Sequence, residues 1–130
     1  MYHGTIGSES LKNPLILNSL KQLKIIVEYF PDSRICPYWH TYLIEVNDDD
    51  IVKITGSISK EIKHGCFAIL WNKKIVFVIF QNKVFQAEIE NSQESKEWKI
   101  VKEYGKANGV QEEYLDFSKE FKKFNRFTSK

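Results

Sequence analysis

The chain has 130 residues, of which 42% are hydrophobic and 28% are charged, and its formal net charge at pH 7 is +2. This length fits one domain, this composition excludes an intrinsically disordered chain, and so small a net charge indicates no particular partner. No apolar run approaches the roughly 20 residues of a membrane-spanning helix, and the N-terminus lacks a secretory signal, so we predict a cytoplasmic protein.

The beginning of the chain predicts a loose arm followed by two strands. Residues 1–14 contain glycine, serine and proline with little periodicity, and we expect a flexible N-terminal arm there. One or two helical turns follow from Leu15 to Leu20. β-branched and aromatic residues then predict strands over residues 23–30 and 38–46, which the turn at Pro31 joins into a hairpin-like unit.

The middle of the chain predicts a helix and then a three-stranded meander. Isoleucines recur at helical spacing over residues 51–62, directly after acidic residues that suit the first turn of a helix. The apolar runs 66–71, 75–80 and 84–89 are separated by short polar connections, so we expect antiparallel neighbours. The middle run is apolar at every position, which predicts that both of its faces are covered.

The end of the chain predicts helices. A polar break at residues 91–95 precedes a helix over residues 96–108, in which Gly105 indicates close packing against another element. The C-terminal segment 119–130 has five basic residues and one acidic residue, and phenylalanines at helical spacing. Such a segment either closes the core or binds a protein, a membrane surface or nucleic-acid phosphates.

Together these elements predict an α+β fold with a single domain over residues 15–118, flanked by the N-terminal arm and the C-terminal segment. We expect an antiparallel sheet of about five strands with two or three helices mainly on one face.

Three ordered motifs carry a resemblance. Trp39 and His40 open a strand, a Val- and Phe-rich hairpin follows, and the chain then reads E-Y-G-x-x-x-G-V-x-E-E-x-L-D-F from Glu103 to Phe117. Over about residues 15–118 the chain resembles a group of small uncharacterised prokaryotic proteins that share this pattern. The resemblance implies a prokaryotic origin and a compact α+β domain, and it implies no activity because none is known for the group.

The first functional prediction is a non-enzymatic binding or interaction module. It would form a homodimer, through a sheet edge or through the C-terminal phenylalanines, or bind another protein. The predicted binding residues are aromatic or basic: Trp39, His40, Phe121, Phe124, Lys122, Lys123 and Arg126.

Two other classes of function stay open. One is a small enzyme with a cleft around Trp39, His40 and Cys66, in which the histidine would act as a base and the thiol as a nucleophile. The other is nucleic-acid binding through sheet aromatics and the basic tail.

Cys36 and Cys66 match no zinc motif, and a disulfide between them is an alternative to two free thiols. The chain has no glycine-rich phosphate loop, and we predict neither a metal nor a cofactor.

Overall fold

The computed structural model describes residues 1–89 and 95–128. Within these ranges an antiparallel sheet of six strands packs against three α-helices. The strands are β1 (Tyr2–Gly7), β2 (Lys21–Tyr29), β3 (Tyr38–Val46), β4 (Ala68–Trp71), β5 (Ile75–Phe80) and β6 (Lys83–Glu88), and the helices are α1 (Ile51–Glu61), α2 (Lys96–Ala107) and α3 (Ser118–Thr128). The predicted single-domain α+β fold is confirmed, with one strand more than the five expected. None of the helices in the described ranges is long and apolar enough to cross a membrane.

The additional strand is β1, which lies inside the segment predicted to be a flexible arm. The strand order is β2-β3-β1-β4-β5-β6, so β1 occupies the middle of the sheet and pairs antiparallel with β3 on one side and β4 on the other. The prediction of a flexible arm over residues 1–14 is wrong, because residues 2–7 form this strand. Sequence patterns did not indicate the strand because Gly4 and Gly7 lower the strand propensity of the segment, and the strands that pair with it come from distant parts of the chain.

The sheet separates two hydrophobic cores. The first core lies under α1, where Ile51 and Ile58 pack against the sheet. The second core lies under α2 and α3 and contains Trp98 and Phe117. Strand β5 contributes to both, with Phe77 and Ile79 in the first core and Val76, Val78 and Phe80 in the second. Both faces of this strand are therefore covered, as its sequence predicts, and two of the three helices share one face.

The described part of the C-terminal segment belongs to the domain. Helix α3 begins at Ser118, and its Phe124 is buried in the second core.

Gly105 of α2 packs closely against the second core. A Cβ atom there would be 2.8 Å from Leu115 Cδ2 and 3.3 Å from the ring of Phe80. The close packing that this glycine predicts is therefore present.

Two predicted features lie partly outside the described residues. Residues 91–94 of the predicted polar break are among them, whereas Ser95 is described and its Oγ accepts a hydrogen bond from the backbone N–H of Trp98 at 3.3 Å, which caps α2. Residues 129–130 of the C-terminal segment also lie outside the described ranges.

Candidate functional site

A cavity of about 610 Å³ opens between α3 and the sheet. Small-molecule sites in proteins typically have volumes of about 300–1,000 Å³, so this cavity is large enough for a ligand. We call it the α3 cavity. Its lining comes from strands β1 to β3, from the connections at residues 30–35 and 110–116, from residues 65–67 and from α3.

A glycine on β1 creates the space for the aromatic wall of the cavity. The indole ring of Trp39 lies across Gly7, and a Cβ atom on this glycine would be only 2.5 Å from Trp39 Cε3. Trp39 Nε1 donates a hydrogen bond to the backbone oxygen of Cys36 at 3.0 Å. Because the indole N–H is already satisfied, the ring offers an apolar surface to the cavity.

A polar network joins α3 to the sheet at the floor of the cavity. Lys123 Nζ lies 2.9 Å from Glu28 Oε1 and 3.3 Å from Glu120 Oε1. Thr41 Oγ1 donates to Glu28 Oε1 at 2.6 Å, and Thr5 Oγ1 donates to Glu120 Oε2 at 2.7 Å. The three charged side chains are between 14% and 19% exposed. This Glu28–Lys123–Glu120 network therefore connects strands β1, β2 and β3 to one helix.

Gln111 holds together the two connections at one end of the cavity. Its Oε1 accepts a hydrogen bond from the backbone N–H of Arg34 at 2.8 Å, and its Nε2 donates to the backbone oxygen of Asp32 at 2.9 Å. The rings of Phe30 and Tyr114 meet edge to face, with their centroids 5.6 Å apart. These contacts fix the two connections at this end of the cavity.

Basic residues of α3 also line the cavity, near its mouth. Lys119, Lys122 and Arg126 all contribute to the lining. Within the described part of the chain, Lys122 and Arg126 form no ion pair. The guanidinium group of Arg126 lies 4.5 Å from the ring centroid of Phe127. The mouth therefore carries cationic donors that no described carboxylate neutralises.

The acidic residues at the mouth have partners within the protein. Glu113 Oε1 accepts a hydrogen bond from Gln111 Nε2 at 2.8 Å. Asp116 Oδ1 accepts one from the hydroxyl of Ser118 at 2.6 Å and one from its backbone N–H at 3.2 Å. The side-chain hydrogen bond from Ser118 is the main reason why the pKa of Asp116 lies below its ordinary value, so this carboxylate stays ionised at neutral pH.

The residues predicted for an enzyme do not form one site. Trp39 and Cys66 line the α3 cavity, but His40 is adjacent to Trp39 on β3 and so points to the other face of the sheet. There its Nδ1 lies 2.7 Å from Glu9 Oε2. Burial raises the pKa of the Cys66 thiol to about 11, which keeps it protonated near neutral pH. The predicted pair of a thiol nucleophile and a histidine base is therefore not formed.

The predicted binding residues of the C-terminal segment divide into two groups. Lys122, Lys123 and Arg126 line the cavity, whereas Phe121 and Phe124 are not among its lining residues. Phe121 and Phe124 both pack edge to face against Trp71, with centroid distances of 4.7 Å and 5.4 Å. These contacts hold both rings against β4 in the second core, and their assignment as binding residues stays a prediction. Nucleic-acid binding stays a prediction that now rests on the basic residues of α3.

Sequence analysis missed the polar residues that define the floor and the end of the cavity: Thr5, Glu28, Thr41, Gln111 and Glu120. One of them left a usable signal, because Glu28 is the only acidic residue in the otherwise apolar or basic run over residues 23–30. An isolated acid in a strand requires a partner when that face of the strand is buried. The other four polar residues stand in sequence contexts that do not indicate a buried partner.

Comparison with protein-family models, with curated proteins and with solved structures finds no match to this chain. The resemblance to small prokaryotic proteins therefore stays a prediction. Among the described residues, no group of three or more histidine, cysteine or acidic side chains has an arrangement that could hold a metal ion.

Proposed function

We propose that this protein is a non-enzymatic binding module and that the α3 cavity is its ligand-binding site. The observation that carries this proposal is the combination of an apolar wall at Trp39 with a polar floor at the Glu28–Lys123–Glu120 network. Ligand sites are typically apolar cavities with a few converging polar groups. The polar groups here are paired with each other, and this arrangement supports binding rather than nucleophilic catalysis.

The cytoplasmic location and the prokaryotic origin predicted from the sequence are part of the same proposal. Cys36 and Cys66 are both free thiols, and free thiols fit a reducing compartment.

Nuclear magnetic resonance with uncharged aromatic fragments, such as naphthalenemethanol, tests the proposed site on the full chain. We expect the amide resonances that shift to cluster at the cavity, including those of Gly7, Gln111 and Lys123. Two matched variants locate the binding. Ile35→Trp places an indole in the lining of the cavity, whereas Val52→Trp places one on the exposed surface of α1, far from it.

The two variants have opposite expected results. Ile35→Trp should weaken fragment binding about tenfold or more, because the new side chain occupies the ligand volume, and Val52→Trp should leave the affinity unchanged. The proposed site would be refuted if no fragment binds, or if the resonances that shift lie on the α1 side of the sheet.

A second observation favours self-association. Among the strands of the described ranges, β2 is an edge strand that pairs with β3 alone. Three alternate residues on it, Ile25, Val27 and Tyr29, are about half exposed or more. Edge strands with an exposed apolar face readily pair with another chain. We propose that β2 pairs antiparallel with β2 of a second copy about Ile26. This register places Ile25 opposite Val27 of the partner subunit and so aligns the two apolar stripes.

Analytical ultracentrifugation of the full chain tests this dimer. Val27 is 64% exposed within the apolar stripe, and Val52 is 77% exposed on α1, so they form a matched pair of exposed valines. We expect the wild-type chain and Val52→Lys to dimerise at micromolar to millimolar concentrations, and Val27→Lys to stay monomeric. A monomeric wild-type chain over this range, or a dimeric Val27→Lys variant, would remove the proposal.

A further inference from the structure

The geometry points to an organic anion with an aromatic body as the ligand of the α3 cavity, held at its anionic group by Lys122 and Arg126. This inference rests on the proposed function, because it assigns a ligand class to the same site. It follows from a difference between the acidic and the basic side chains around the cavity. The acidic ones already have hydrogen-bond or ion-pair partners in the protein, whereas Lys122 and Arg126 form no ion pair among the described residues.

The carboxylates of the cavity offer little to a cationic ligand. Glu28 and Glu120 share the ammonium group of Lys123, and each also accepts a hydrogen bond from a threonine hydroxyl. Glu113 and Asp116 accept hydrogen bonds from neighbouring side chains. A cationic ligand at the floor would have to displace an ammonium group that is only 14% exposed.

The basic residues form one face of α3. They lie at positions 119, 122, 123 and 126, a spacing that brings side chains to the same side of a helix, and all four line the cavity. Lys123 belongs to the polar network, and Lys119 helps to lower the pKa of Asp116. Lys122 and Arg126 remain without an ion pair among the described residues. Being four residues apart, they can contact one anionic group together, and the planar guanidinium suits a carboxylate or a phosphate.

The opposite wall suits an aromatic body. The indole of Trp39 offers its ring rather than its N–H, because the N–H donates to the backbone oxygen of Cys36. The lining also includes the apolar side chains of Phe30 and Ile35. Aromatic rings pack well in offset or edge-to-face contact with an indole. A ligand with an anionic head and a flat apolar body therefore matches both walls.

Three probes with the same ring system and different head groups test this ligand class: naphthalene carboxylate, naphthalenemethanol and naphthylmethylamine. Isothermal titration calorimetry on the full chain measures their affinities. We expect the carboxylate to bind about fivefold to tenfold more tightly than the alcohol, since partly exposed ion pairs contribute this much, and the amine to bind most weakly. Added salt should weaken the binding of the carboxylate and leave that of the alcohol unchanged.

Matched double variants connect the preference to the two residues. Replacing both Lys122 and Arg126 by Gln should lower the affinity for the carboxylate to that for the alcohol, without changing the affinity for the alcohol. Replacing Lys73 and Lys74 by Gln removes the same charge from a turn outside the cavity and should change neither affinity.

The outcomes separate the ligand class from the proposed function. Equal affinities for the carboxylate and the alcohol would overturn the anionic class and leave the cavity as a binding site. Tightest binding of the amine would assign the opposite charge to the ligand and so overturn the inference. Failure of all three probes to bind would overturn the proposed function together with this inference.

Discussion

Replacement of Lys123 by Met is expected to weaken the attachment of α3 to the sheet. The ammonium group of Lys123 is the common partner of Glu28 and Glu120, which come from β2 and from α3 itself. Methionine keeps most of the side-chain length but cannot donate to either carboxylate. The two carboxylates would then share a partly buried region in which the hydroxyls of Thr5 and Thr41 are their only side-chain donors among the described residues.

The size of the effect follows from the exposure of this network. Exposed ion pairs contribute up to about 1 kcal/mol, whereas removing one partner of a fully buried pair costs about 3–5 kcal/mol. Lys123 is 14% exposed and contacts two carboxylates, so we place its loss between these limits, at about 2 kcal/mol in the free energy of unfolding. For a chain of this length, that loss lowers the melting temperature by about 7 °C.

Thermal and urea unfolding measure this loss, and the adjacent Lys122 supplies the control. Lys122→Met removes the same charge from the same helix but breaks no ion pair among the described residues, so we expect a change within about 0.5 kcal/mol. The reasoning would be refuted if the two variants unfold at the same temperature. A double-mutant cycle with Glu28→Gln should also give a coupling energy of about 1 kcal/mol or more, because the two side chains are in direct contact.

Three further predictions concern single residues. Gly7→Ala should destabilise the protein by about 1–3 kcal/mol, because the new Cβ meets the indole ring above it. Gly56→Ala should stabilise α1 by about 0.8 kcal/mol, because its Cβ would meet no atom within 4 Å beyond its chain neighbours and the backbone of its own helix, and urea unfolding compares the two variants. A pKa of about 11 leaves about one Cys66 thiol in a thousand ionised at pH 8, so iodoacetamide should alkylate Cys66 far more slowly than Cys36 in the folded chain. In urea the two thiols should react equally fast, and mass spectrometry of the peptides measures both rates. Burial tends to raise the pKa of Glu9, but hydrogen bonds from the neighbouring histidine lower this pKa below its ordinary value of 4.5. Glu9→Gln should therefore reduce the free energy of unfolding by its full amount above pH 4.5, and the difference from the wild-type chain should vanish as the pH falls through the lowered pKa. A constant difference down to pH 2 would contradict this.

The parts of the fold that sequence analysis predicts correctly depend on local patterns. The bounds of β5 coincide with the apolar run over residues 75–80, and those of β3 coincide with the alternating run over residues 38–46. Strand β1 was missed because it has no such pattern. It contains two glycines, and its stability comes from pairing with β3 and β4, which lie more than 30 residues away in sequence.

The candidate site could be predicted only in part, for a similar reason. Sequence patterns indicated Trp39, which lies at the start of a predicted strand, and the basic residues of α3, which are concentrated near the end of the chain. The contact between Thr5 and Glu120 joins residues 115 positions apart, and no local pattern indicates it. His40 and Cys66 were placed together by residue type alone, and the alternation of β3 separates the histidine from the cavity.

The Glu28–Lys123–Glu120 network raises the question of whether these charges serve stability or ligand binding. A helix can pack on a sheet through apolar side chains alone, as α3 does at Phe124, and replacing a buried ion pair by well-packed apolar residues is often neutral or stabilising. We therefore predict that the charges at the floor serve the binding of a ligand, and that their joint replacement leaves stability unchanged. If the triple variant Glu28→Gln, Glu120→Gln and Lys123→Met folds as stably as the wild-type chain but no longer binds the naphthalene probes, the network serves the ligand site. If it folds stably and binds them unchanged, the network is dispensable for both.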